Sequence, residues 1–188
     1  MLDQLIQYDK ELFLYLNNLG SETWDTLWLL ITNKLTFIPL YAVLLFFIYK
    51  KFGWKSLLIM VFVIAAMITF TDQITNVFKR TFERPRPCGA EGVMDFTRFI
   101  APRCGKYGFF SGHSSNSMAA AVFGGLLLRP YFKHLIYVLL IWSLVVAYSR
   151  IYVGVHYPLD IICGLTFGAF AGFLFYKLNA YLLKRYIN

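Results

Sequence analysis

Residues 54–78 read WKSLLIMVFVIAAMITFTDQITNVF, an apolar run closed by Lys79-Arg80. A helix of that length, at about 1.5 Å per residue, crosses a hydrocarbon core about 30 Å thick. Four other stretches share the pattern: 35–49, 114–128, 131–148 and 159–183. They end at Lys50-Lys51, Arg129-Pro130, Ser149-Arg150 and Lys184-Arg185. The expected fold class is all-α, a polytopic membrane helix bundle of five spanning helices. Composition points the same way. Of 188 residues, 59% are apolar, 19% aromatic and only 15% charged, too little polar surface for a water-soluble domain. One domain, 1–188, accommodates the pattern.

Ahead of the five runs, residues 1–34 are expected to form interfacial helices, leaving 35–188 as the spanning bundle. Leu5, Ile6, Leu12, Phe13 and Leu16 recur at helical spacing between Asp3, Gln7, Lys10 and Glu11, an amphipathic pattern. Residues 24–32 are apolar but too few to span. The start carries acids where a signal peptide has a basic region, and it lacks a continuous apolar core. Further along, Gly164, Gly168 and Gly172 put small residues on one helix face and favour close packing.

Counting spans places Lys50, Lys51, Lys55, Arg129, Lys133, Lys184 and Arg185 on one side, bases without nearby acids, which marks the cytoplasmic side. Residues 79–113 and 149–160 fall on the other. Segment 79–106 is also net basic and votes for the opposite orientation, unless its bases serve another purpose. The net charge of +8 lies at the ends of apolar runs and not on one polar face, so it suits membrane flanks and an anionic substrate better than nucleic acid. Cys88 and Cys104 flank one polar loop. In an oxidising compartment they could pair; spacing alone leaves this open.

The outer side gathers polar residues that anchoring does not explain. These are Lys79 with Arg86-Pro87, Phe110-Ser111-Gly112-His113, and Ser149-Arg150 followed by His156 and Asp160. A phosphomonoester carries up to two negative charges, and its transferring group spreads charge over three oxygens. Arginine forks and a lysine point charge meet that need. Ser111-Gly112 precedes a helix whose first N–H groups are free for an anion. His156 and Asp160 share a helical face, so the carboxylate can hold one ring nitrogen while the other attacks phosphorus. His113, from another helix, can protonate the leaving oxygen and then activate water. A His/Asp metal site fits less well, since four or more bases would repel the cation. No metal or cofactor is needed.

These segments resemble the three-part signature of the type 2 phosphatidic acid phosphatase superfamily, which also includes the vanadium haloperoxidases. Lys79 with Arg86-Pro87 matches the first part, Ser111-Gly112-His113 the second, and Ser149-Arg150, His156 and Asp160 the third. The resemblance implies a phosphohistidine on His156, oriented by Asp160, with His113 as acid and base. It implies phosphate binding by Lys79, Arg86, Arg150, Ser111 and Gly112. Phe110 departs from the pattern, standing where the family usually has proline. The short form resembles bacterial members, implying a multi-pass protein of the bacterial inner membrane; the distribution of bases puts the site on its outward face.

The expected activity is hydrolysis of a lipid phosphate or diphosphate, with a slight lean towards undecaprenyl diphosphate. Phosphatidylglycerol phosphate, phosphatidic acid and lipid A 1-phosphate are the alternatives, as is transfer to a second lipid. A small transporter is the remote alternative, because the strong charges gather at one end of the runs and not at their centres. Asp72 and Asn76 share a face with Lys79 and could tether it. Arg80 and Arg84 read as a solvated basic loop, or as contacts to a head group. His134, beside Lys133, reads as interfacial.

Overall fold

The computed structural model describes residues 1–187. Among these it is helical apart from loops and one isolated bridge between Pro85 and Tyr107. The helices are α1 (Leu2–Asn18), α2 (Glu22–Thr32), α3 (Ile38–Phe82), α4 (Gly112–Leu128), α5 (Leu135–Tyr152) and α6 (Pro158–Tyr186). This is an all-α membrane bundle. Segments Lys34–Phe82, Leu135–Tyr152 and Pro158–Tyr186 are each long and apolar enough to cross a bilayer.

A straight α3 would measure about 68 Å at 1.5 Å per residue, more than twice the hydrocarbon core. Gly53 reverses it. Its φ of 75° and ψ of 177° break the helical ladder in a region that a residue with a Cβ rarely enters. Lys34 and Asp72 line one cavity, as do Ile48 and Ile64, so arms 38–52 and 54–82 run antiparallel. These arms are the runs 35–49 and 54–78 of the sequence.

α4 is the central rod, with Ser114, Ser115 and Ala119 fully buried. α6 lies against it through the glycine face. A Cβ on Gly168 would sit 2.3 Å from the Ser115 carbonyl oxygen, and one on Gly172 2.6 Å from that of Ala119. Any larger side chain there pushes the two helices apart.

α5 departs from the expected span 131–148 at both ends. Pro130 lacks an N–H, and the Leu128 carbonyl accepts instead from Tyr131 and Phe132 in a turn, so the helix starts at Leu135. It then continues past Ser149-Arg150 to Tyr152, keeping Arg150 buried. Gly154, at φ 83°, ends it.

α1 and α2 pack across the end of the bundle that carries the polar loop. Phe13 is fully buried, edge-on to Tyr157 at 5.3 Å. Asn17 Nδ2 donates to the carbonyls of Arg98, Ile151 and Tyr152 at 3.1, 3.0 and 2.9 Å. Arg98 pairs with Asp25 at 2.5 Å. Within the loop between α3 and α4, Cys88 and Cys104 form a disulfide, their Cα atoms 5.9 Å apart.

Candidate active site

The first turn of α6 sets the centre. Pro158 opens the helix, where its missing N–H does no harm. Asp160 Oδ2 accepts from the Tyr157 N–H at 3.1 Å and faces His156 Nδ1 at 3.2 Å. Both side chains are buried, at 0% and 2% exposure. With Nδ1–H donated to the carboxylate, Nε2 carries the free lone pair. Burial, followed by the charges of Arg86, Arg150, Lys79 and Arg84, holds the His156 ring well below its ordinary value. At neutral pH it is an uncharged base.

Three further segments surround it. Ser111 is the N-cap of α4. Its Oγ accepts from Ser114 N–H at 3.3 Å, and its own N–H donates to the Asp160 carbonyl at 3.0 Å, tying the start of α4 to α6. Lys79 Nζ and Asp72 Oδ1 lie 3.7 and 3.9 Å from where a Cβ on Gly112 would stand, so Lys79 reaches the helix start. Arg150, from α5, donates one Nη to Thr32 Oγ1 and has no protein partner at its buried Nε. Arg86 Nε donates to the Tyr107 carbonyl at 3.0 Å. Arg150, Lys34, His156 and Lys79 all lie close enough to His113 to act on its charge.

The structure therefore brings Lys79, Arg86, Arg150, Ser111, Gly112, His113, His156 and Asp160 together at one end of the bundle. Asn76 stays exposed, whereas Asp72 accepts from Asn116 Nδ2 at 2.8 Å beside Lys79. His134 is exposed at the opposite end. Arg84 requires a correction. It is not part of a solvated loop: it pairs with Asp160 at 2.8 Å and Asp9 at 2.5 Å. Although burial opposes its charge, Asp160 and Asp9 outweigh burial and raise its pKa. Asp9, its partner, escaped sequence reasoning, as did three further residues. Gly105 and Gly108 let the loop lie across the site, a Cβ on Gly108 falling 3.0 Å from Asp160 Oδ2 and one on Gly105 3.0 Å from Arg86 Cζ. Lys34 joins the site from the turn before α3.

A cavity of about 350 Å³ runs from this cluster between the arms of α3, α4 and α5. Lys34, Asp72 and His113 line it on the side of the cluster, and Ile48, Met67 and Phe123 line it elsewhere.

A family model described as the PAP2 superfamily matches residues 56–184. Over 188 residues the chain is 37% identical to a lipid A 4'-phosphatase of Bacteroides thetaiotaomicron, covering 98% of this chain and 83% of that protein. It is 30% identical over 176 residues to an undecaprenyl-diphosphatase of Sulfolobus acidocaldarius, covering 92% and 79%. The crystal structure of a transmembrane PAP2 type phosphatidylglycerolphosphate phosphatase from Bacillus subtilis matches with a TM-score of 0.73 at 19% identity. That match covers 94% of this chain and 87% of the other, a likeness of fold.

Proposed function

The chain belongs to the PAP2 superfamily as a membrane lipid phosphatase, and we propose that it removes phosphate from a glycolipid of the lipid A class through a phosphohistidine on His156. The observation that carries the mechanism is the buried His156, bonded to Asp160 through Nδ1 and ringed by Lys79, Arg84, Arg86 and Arg150. In the first step Nε2 attacks phosphorus, and the bond to the lipid oxygen breaks. His113 donates a proton to that oxygen, while Asp160 stabilises the positive ring. In the second step His113 takes a proton from water, which displaces His156 and releases inorganic phosphate. Lys79, Arg86, Arg150 and the first N–H groups of α4 hold the phosphoryl oxygens throughout. The unpartnered Nε of Arg150 suits that task.

The lipid A class is favoured over the polyprenyl diphosphate expected from the sequence by the 37% identity to the Bacteroides protein. Undecaprenyl diphosphate is the second reading, supported by the Sulfolobus relative. The apolar cavity behind His113 suits a hydrocarbon chain that stays in the bilayer. In this reading the chain makes five passes through a bacterial inner membrane with the site on the outer face. The Cys88–Cys104 disulfide fits an oxidising compartment there, and the exposed bases near Gly53 fit the cytoplasmic side.

Purified protein in detergent tests this with lipid A phosphates, undecaprenyl diphosphate, phosphatidylglycerol phosphate and phosphatidic acid. Lipid A phosphate should turn over fastest, and His156→Ala should release nothing from any of them. Faster release from undecaprenyl diphosphate would favour the second reading. Full activity in His156→Ala would sink the mechanism.

A further inference from the structure

A buried acid and a partly buried base are given no step in the phosphoryl chemistry above. The Asp9 side chain, on α1, is 2% exposed, and that of Arg84, in the loop after α3, is 18% exposed. Arg84 bridges two carboxylates. Its Nη1 donates to Asp160 Oδ1 at 2.8 Å and its Nη2 to Asp9 Oδ2 at 2.5 Å. The guanidinium lies 4.1 Å from the Tyr157 ring centroid, and Phe13 of α1 meets the same ring. Asp9 Oδ1 accepts from the Leu159 N–H at 2.8 Å. That N–H belongs to the first turn of α6, where the helix itself supplies no acceptor, and Asp160 stands on the same turn.

The charges explain why both acids are present. An arginine given wholly to Asp160 would cancel the carboxylate that His156 needs when it becomes positive. Shared between two carboxylates, Arg84 leaves the group of three at a net charge of −1. The other groups facing His156 are Arg86 from the loop, Lys79 from α3, Arg150 from α5 and His113 from α4. None of these is an acid. Asp72 is occupied by Asn116 near Lys79. The negative charge at the ring therefore comes from Asp160, and Arg84 controls how much of it is presented.

We propose that Asp9 and Arg84 are positioning residues of the catalytic centre: Asp9 offsets the charge of Arg84, so that Asp160 presents its own to His156, and it pins the turn that carries Asp160. α1 is then a working part of the site and not only an interfacial helix. The inference rests on His156 being the nucleophile.

The test is the pH dependence of kcat/KM on a lipid phosphate that the wild type hydrolyses. His156 attacks only when neutral, so the acid limb follows its protonation. Ionisation of the substrate is common to all variants and cancels in their differences. Asp9→Asn keeps one acceptor, enough for Leu159 or Arg84 but not both, and removes a charge. Its acid limb should move down by about half a pH unit and kcat should fall about tenfold. Arg84→Gln should move the limb up by a similar amount. The double variant, which removes one charge of each sign, should bring the limb back towards the wild-type position. Asp9→Glu should keep the wild-type limb.

A purely structural role lowers kcat in both single variants and leaves the limbs together. That result, or limbs moving in one direction, overturns the proposal. If Asp9→Asn does not fold, Arg84→Gln decides, since an unmoved or lowered limb there overturns it equally. A wild type that releases phosphate from no lipid defeats the phosphatase reading instead, and the two failures are distinct.

Discussion

At one end of the bundle Lys51 lies over the Tyr131 ring at 5.0 Å, Phe52 meets that ring at 5.5 Å, and Phe47 meets Phe132 at 4.9 Å. At the other end Arg84 also lies over a tyrosine, but between two carboxylates and beside a buried histidine. Lys50, Lys51, Lys55, Arg129 and Lys184 at the first end are all exposed. Arg150 at the second is buried, and Arg84 and Arg86 are partly so. A solvated base costs little and contributes little. A buried one must find acceptors or a ligand. Similar residue types are therefore exposed flanks at one end and buried or paired groups at the other, and the covering elements make the difference. α1, α2 and the disulfide-closed loop supply carboxylates and exclude water at the site end only.

Substitutions at the two ends should separate sharply. His113→Asn should lower kcat about 10²–10⁴-fold on a phosphomonoester, whose leaving alkoxide needs a proton. The loss on a diphosphate should be smaller, because phosphate leaves without full protonation. Release assays on both substrates check this, and equal losses would remove His113 from the acid role. Arg150→Ala should cost about 10²–10³ in kcat, the effect of removing one preorganised donor to developing charge. Gly108→Ala inserts a Cβ 3.0 Å from Asp160 Oδ2. Overpacking of this kind costs about 1–3 kcal/mol, so a loss of about tenfold in kcat with little change in KM is expected. At the opposite end, Lys51→Ala should leave turnover unchanged and alter stability by no more than about 0.5 kcal/mol, read as a thermal shift in detergent. A tenfold loss of activity there would break the contrast between the ends.

Spacing made part of this legible. His156 and Asp160 lie four apart on one face, and Ser111-Gly112-His113 opens a helix, so local pattern alone marked them. Lys79, Arg86 and Arg150 followed, because bases on the outer side needed a purpose beyond anchoring. Arg84 and Arg98 also sit in that net-basic loop, and both are engaged inside the protein, with Asp9 and Asp160 and with Asp25. They are not membrane-flanking charges, which is why a simple count of loop bases gave a conflicting vote. The roles of Asp9, Lys34, Gly105 and Gly108 were illegible for a different reason. Their partners lie in distant segments, and no periodicity on their own stretch marks them. Phe110 is the converse case. It breaks the expected motif, yet it is buried against Phe78 at 5.1 Å and Phe167 at 5.3 Å, so packing holds the approach to α4 where proline would stiffen it.

The docking of α1 has a consequence for how the protein is made. α1 is synthesised first, but Asp9 waits 75 residues for Arg84 and 150 for Leu159, and Asn17 waits 135 for Tyr152. At about 5–20 residues per second, the later partners follow roughly 8–30 s behind. During that interval the nascent chain holds neither His156 nor the turn that carries Asp160. The bridge from Asp9 through Arg84 to Asp160 closes only once the first turn of α6 has been made.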